Sequence, residues 1–84
     1  MTVGQATVSP GKANPRHFHP NCDEVLHVLS GRILHTMNDV TVEMSAGDTV
    51  SIPKGVWHNA TNIGDEDAKL AISFSTAWRE VVGE

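Results

Sequence analysis

The stretch GKANPRHFHPNCDEVLHVLSG, Gly11 to Gly31, sets two histidines two residues apart and a glutamate five residues beyond the second. In an extended chain alternate side chains share a face, so His17 and His19 point the same way. Glu24 opens the run Glu24–Ser30, where Leu26, Val28 and Ser30 have its parity and Val25, His27 and Leu29 the opposite one. If that run pairs antiparallel with the histidine strand, after the turn Pro20-Asn21-Cys22-Asp23, Glu24 comes beside both imidazoles on an inward face. Further along, GDTVSIPKGVWHNATN, Gly47 to Asn62, carries His58 on a strand with Val56 and Ala60 on its side. Three imidazoles and one carboxylate facing inward form a mixed nitrogen and oxygen set suited to one divalent transition metal: iron, manganese, nickel, copper or zinc.

Outward from these stretches, Pro10-Gly11, Pro15, Pro20, Gly31, Gly47, Pro53, Gly55 and Gly64 punctuate the chain at short intervals. Between them run alternating segments with no helical period: Gln5–Ser9, Arg16–Pro20, Glu24–Ser30, Arg32–Met37, Val40–Met44, Thr49–Pro53, Val56–Thr61 and Ala68–Ser75. Asn38-Asp39 is a two-residue hairpin signal. The connections are too short for crossover helices, so the expected fold is all-β: about eight short antiparallel strands in a sandwich or small barrel. Thr76–Glu84 reads as a partly docked tail.

Eighty-four residues allow one domain, 1–84. Ten acidic against six basic residues give a net charge of −4, and the six cations are scattered, which argues against nucleic-acid binding. The single Cys22 excludes an internal disulfide. No apolar run reaches membrane length and the N-terminal stretch has no signal-peptide core, so the expected setting is the cytoplasm, without membrane association. The chain has no tyrosine, so no phenol can serve as acid, base or ligand.

The two stretches read G-x5-H-x-H-x4-E-x6-G (Gly11, His17, His19, Glu24, Gly31) and G-x5-P-x-G-x2-H-x3-N (Gly47, Pro53, Gly55, His58, Asn62). With all ten fixed positions present, the chain resembles the cupin superfamily over Gly11–Asn62. The resemblance implies a small jelly-roll β-barrel with a metal near one mouth, held by His17, His19, Glu24 and His58. Only ten residues precede Gly11 and the spacer Arg32–Ala46 is about one hairpin long, which implies a minimal cupin with a thinly walled pocket. Gly31, Gly47 and Gly55 fall where strands reverse and positive φ is cheapest. Pro53 sets a rigid turn, and Asn62 is expected to hold the turn after the His58 strand through its amide.

Each singled-out residue also has a plain alternative. Four ordinary strand residues would bury several ionisable groups together at a cost, which favours the metal. His27 points outward by parity, and His35, in the hairpin with no motif partner, reads as structural or surface. Cys22 is a weak catalytic candidate, since a reactive thiol needs a base or cation beside it; as a small turn residue it needs neither. Trp57, opposite in parity to His58, reads as outer-face contact, and Phe74, with Leu70 and Ile72, as core. Val25, Leu29 and Trp57 suggest an outward contact surface and a homodimer, as in many cupins.

An octahedral ion held by these four groups keeps about two positions open for a small-molecule ligand. The inward side chains Leu26, Val28, Ile52, Val56, Ala60 and Met37 include no spare carboxylate for acid–base work. This favours chemistry done by the metal, and an oxygenase or dioxygenase acting on a small oxygenated molecule. The alternatives are a non-redox isomerase, decarboxylase or lyase on a metal-chelated carbonyl compound, and a non-catalytic small-molecule binding or sensor domain.

Overall fold

A computed structural model describes residues 1–84. Its strands are β1 (Thr2–Val8), β2 (His17–Phe18), β3 (Glu24–Ser30), β4 (Arg32–Met37), β5 (Val40–Ser45), β6 (Thr49–Ile52), β7 (His58–Asn62), β8 (Ala68–Phe74) and β9 (Val82–Gly83). They form two sheets, β1-β8-β3-β6 and β5-β4-β7-β2-β9, with every neighbouring pair antiparallel. The two sheets face each other as a jelly roll and do not close into a continuous ring. β3 and β4 have the bounds that alternation predicts. β1 starts earlier than expected, at Thr2, and the tail adds a ninth short strand.

One expectation about pairing fails. β3 does not pair with β2; it lies between β8 and β6 in the other sheet. Only β4 and β5 are joined as a hairpin, across Asn38-Asp39, with Asn38 at φ 50°. Every other connection carries the chain from one sheet to the other. Residues far apart in sequence therefore meet across the sandwich, and Glu24 faces the histidines instead of standing beside them.

The crossings fall at the punctuation residues. At Gly31, between β3 and β4, φ is 89° and a Cβ would lie 2.8 Å from the Ala68 Cα, so the corner needs both the left-handed conformation and the missing side chain. Asn62 secures the turn after β7 as expected: its amide Nδ2–H donates to the carbonyls of Val8 (2.8 Å) and Glu66 (2.7 Å), and its Oδ1 accepts the Gly64 N–H (2.8 Å).

The core draws on both inner faces: Val8, Leu26, Val28, Ala68, Leu70 and Ile52 from one sheet, Ile33, Met44 and Ala60 from the other. Phe74 is buried as predicted. Trp57 meets Phe18 edge to face on the outside of β2 and β7. Val25 and Leu29 are exposed on the opposite sheet, so the three do not make one surface.

Candidate metal centre

β2 and β7 pair at His17 and His58, β2 ends just before His19, and Glu24 begins β3 on the facing sheet. The strand pairing and the sandwich thus bring the four motif residues to one point. One ligand atom from each of His17, His19, Glu24 and His58 lies within 4.8 Å of the others. His19, Glu24 and His58 are buried and His17 is half-buried.

Hydrogen bonds fix how the three rings face. His17 Nδ1 bonds to the Pro15 carbonyl (2.7 Å), His19 Nδ1 to that of Glu80 (2.8 Å), and His58 Nδ1 to that of Val56 (3.0 Å). A carbonyl only accepts, so each Nδ1 carries a proton and, in the neutral ring, each Nε2 presents a lone pair. Glu24 Oε1 lies 3.1 Å from His19 Nε2 and 3.0 Å from His58 Nε2. These converging lone pairs and the carboxylate require a cation between them. A shared proton can serve as that cation, and a divalent metal can do so with all four donors at once. The donor set therefore fits a metal, and a backbone carbonyl behind each imidazole is the arrangement that orients histidine ligands.

Titration tendencies agree with this electrostatic demand. Burial by itself raises the Glu24 pKa, but its hydrogen bond to His58 and the charges of His58 and His19 outweigh that and lower it. Burial disfavours charged His58, yet its bonds to Glu24 and to the Val56 carbonyl prevail and raise its pKa. For His17 burial prevails over the Pro15 bond, and its pKa is lowered.

The centre opens into a cavity of about 570 Å³ between the sheets, walled by Ala6, Val8, Leu26, Ala60, Leu70 and Ile72 among others. His35 and Arg79 are among the lining residues that sequence reasoning missed. His35, expected to be structural or surface, is 1% exposed and stacks on His58, with ring centroids 5.9 Å apart and planes at 29°. Its parity with Ile33 was the available signal, because that alternation turns both inward. Arg79 comes from the tail; its guanidinium lies 4.9 Å from the Phe74 ring centroid and lines the cavity. Cys22 is buried, does not line the cavity, and burial followed by the Glu24 charge pushes its thiol pKa up, opposite to what a nucleophile needs. His27 points outward as predicted, with Nδ1 2.7 Å from the Thr49 hydroxyl.

A sequence model of the cupin domain matches residues 4–74. The chain belongs to the cupin family. Germin-like protein 3-8 of Oryza sativa subsp. japonica is 30% identical over 87 residues, covering 98% of this cupin and 39% of that protein. Protein SchB of Streptomyces halstedii is 35% identical over 68 residues, covering 81% of the cupin and 49% of SchB. Among solved structures, an oxalate oxidase in complex with the substrate analogue glycolate superposes with a TM-score of 0.92 at 27% identity, over 96% of the cupin and 44% of that chain. Bacillus subtilis oxalate decarboxylase, which has Mn(II) centres, superposes with a TM-score of 0.86 at 31% identity, over 96% of the cupin and 23% of that chain. The cupin spans less than half the length of each of these proteins.

Proposed function

We propose that this cupin holds one divalent transition metal on His17, His19, Glu24 and His58 and is an oxygen-using enzyme of oxygenase or oxidase type acting on a small carboxylic acid. The observation that carries the reading is the convergence of the four ligand atoms within 4.8 Å, with the Nδ1 of every imidazole engaged by a backbone carbonyl. A bound ion supplies a Lewis acid for a carboxylate and, if redox-active, access to dioxygen chemistry. Around it the cupin's own residues bind and orient. The ion pairs of the chain are His19–Glu24, His58–Glu24 and Arg32–Glu43, which leaves the Arg79 guanidinium at the cavity wall free to pair with an anionic substrate. Apolar surface from both sheets makes up most of the cavity wall around the site. Likeness to an oxalate oxidase supports the redox reading, and the Mn(II) centres of the similar oxalate decarboxylase make manganese the first metal to try. Likeness to an oxalate decarboxylase favours a second reading, non-redox decarboxylation of a chelated acid. A cytoplasmic setting, where the lone Cys22 stays reduced, belongs to the same proposal.

The test is elemental analysis of the purified protein, then thermal shifts after chelation and metal add-back, then oxygen uptake and carbon dioxide release with small acids. Stoichiometric manganese, iron, nickel or copper with oxygen uptake supports the proposal. Carbon dioxide release without oxygen uptake selects the decarboxylase reading. Bound metal without turnover selects a binding or sensor domain. No metal and no thermal shift with any divalent ion sinks the metal centre.

A further inference from the structure

The most buried ionisable group outside the four-residue cluster is His35, and neither of its ring nitrogens has a hydrogen-bond partner in the protein. It stands on β4 between Val42 of β5 and Ala60 of β7, neither of which offers a side-chain polar atom. The other three histidines of the cavity each have at least one ring nitrogen engaged. The Nδ1 atoms of His17, His19 and His58 reach carbonyls, and Asn14 Oδ1 accepts the Ala60 N–H at 2.6 Å. An imidazole used only for close packing could be replaced by an apolar side chain at no cost in hydrogen bonds; a buried one without partners is otherwise unfavourable. His35 also lines the cavity that holds the cluster, and its ring lies one stacked neighbour from His58. Its partner must therefore come from whatever fills that cavity.

We propose that His35 is the second recognition point of the cavity, hydrogen-bonding the distal hydroxyl of a short hydroxy acid whose carboxylate end lies at the four-residue cluster. A neutral imidazole presents one N–H and one lone pair, and a hydroxyl both donates and accepts, so it can meet either nitrogen. A site built to bond a hydroxyl discriminates strongly against the analogue lacking it, because the buried nitrogen is then left unpaired. His35 thereby sets specificity, while the metal cluster and Arg79 hold the acid end. The inference rests on the metal-centre reading given above.

The test uses Mn(II)-loaded protein titrated with two pairs of acids, each matched in length with a hydroxyl in place of a methyl: 3-hydroxypropionate against butyrate, and 4-hydroxybutyrate against pentanoate. Binding is followed through the electron paramagnetic resonance of the ion, and the metal content of every sample is measured. The wild type is expected to prefer at least one hydroxy acid by about tenfold or more. His35→Leu should keep stoichiometric Mn(II) and bring that ratio close to one; His35→Gln, which keeps a donor and an acceptor, should restore part of it. Equal affinities or no binding of any acid in the metal-loaded wild type overturns the inference and leaves the metal centre standing, as does an unchanged ratio in His35→Leu. Loss of Mn(II) from both His35 variants overturns it too, because His35 would then serve the metal. Should His35→Leu not fold, the wild-type ratio and the Gln variant decide. A wild type that holds no Mn(II) or other divalent ion fails the metal-centre reading itself, and the inference falls with it.

Discussion

At the scale of single residues, the centre is a problem in placing protons. Glu24 is buried between His19 and His58, so removing one partner strands a carboxylate in the interior. His58→Ala should therefore lower both metal affinity and melting temperature. The affinity loss should exceed the roughly 10–100-fold typical of losing a group that merely orients a ligand. Metal at about a hundred times its dissociation constant adds about 2.7 kcal/mol to the native state, and the variant should forfeit most of that gain. Unchanged metal content and melting temperature in His58→Ala would remove it from the site. The pH dependence of the metal-free chain follows from opposing shifts. His35, lowered to about 4 by burial, stays neutral in the native state while its unfolded counterpart takes up a proton near 6.5. Its contribution is intact above pH 6.5 and disappears as pH falls through about 4. Glu24, also lowered, loses its contribution as pH falls through its native value. His58, raised, acts in the other direction: its contribution is full below 6.5 and is lost as pH rises through its native value. The melting temperature should fall between pH 6.5 and 4, and His35→Leu should flatten that fall. An unaltered slope in the variant would contradict the burial of a neutral His35.

At the scale of elements, the corners and the tail carry more than their lengths suggest. Gly31→Ala meets both a positive φ and a Cβ contact of 2.8 Å, whereas Gly47→Ala, at φ 97°, meets only the first. Urea unfolding should show a loss of about 1–2 kcal/mol for Gly47→Ala and clearly more for Gly31→Ala. Equal losses would mean that the β3–β4 corner relaxes without penalty. The tail returns to the other sheet: Glu80 supplies the carbonyl behind His19, and the Asn21 side chain bonds to the Trp78 carbonyl (2.7 Å) and the Glu80 N–H (2.9 Å). Deleting residues 76–84 should weaken metal binding about 10–100-fold while leaving the β4–β5 hairpin and the core strands intact by circular dichroism. Binding undiminished by the deletion would show that His19 needs no such support. Alternation made β3, β4 and the hairpin legible in the sequence, because each is set by local parity and turn chemistry. Which strand neighbours which was not legible: β2–β7 and β3–β8 are decided by how two amphipathic sheets cover each other, and parity is silent on that. The tail was equally opaque, because backbone carbonyls, which every residue has, do the work there.

At the scale of the whole molecule, the four motif residues were readable because their spacing is constrained by one point in space, and the fold brings them to it. Arg79 escaped because no spacing rule ties it to that point; for His35, parity with Ile33 signals only an inward side chain, and no motif spacing places it beside the cluster. The outer face of the β1-β8-β3-β6 sheet exposes Val3, Val25 and Leu29 as apolar side chains on one side. We propose a homodimer through this face. Sedimentation should give twice the chain mass for the wild type and the chain mass for Val25→Asp; a wild-type monomer at all concentrations rules the dimer out. Pairs such as Thr2 with Phe74 make the topology strongly non-local, the kind that folds in milliseconds to seconds. The carbonyl that turns the His19 ring belongs to Glu80, sixty-one residues further along the chain. Synthesis runs from the N-terminus, so His17, His19, Glu24 and His58 are all in the chain before that carbonyl exists. The finished centre therefore cannot template the strands made before Glu80; tight loading with an ion has to wait until that residue has been added and the tail has docked.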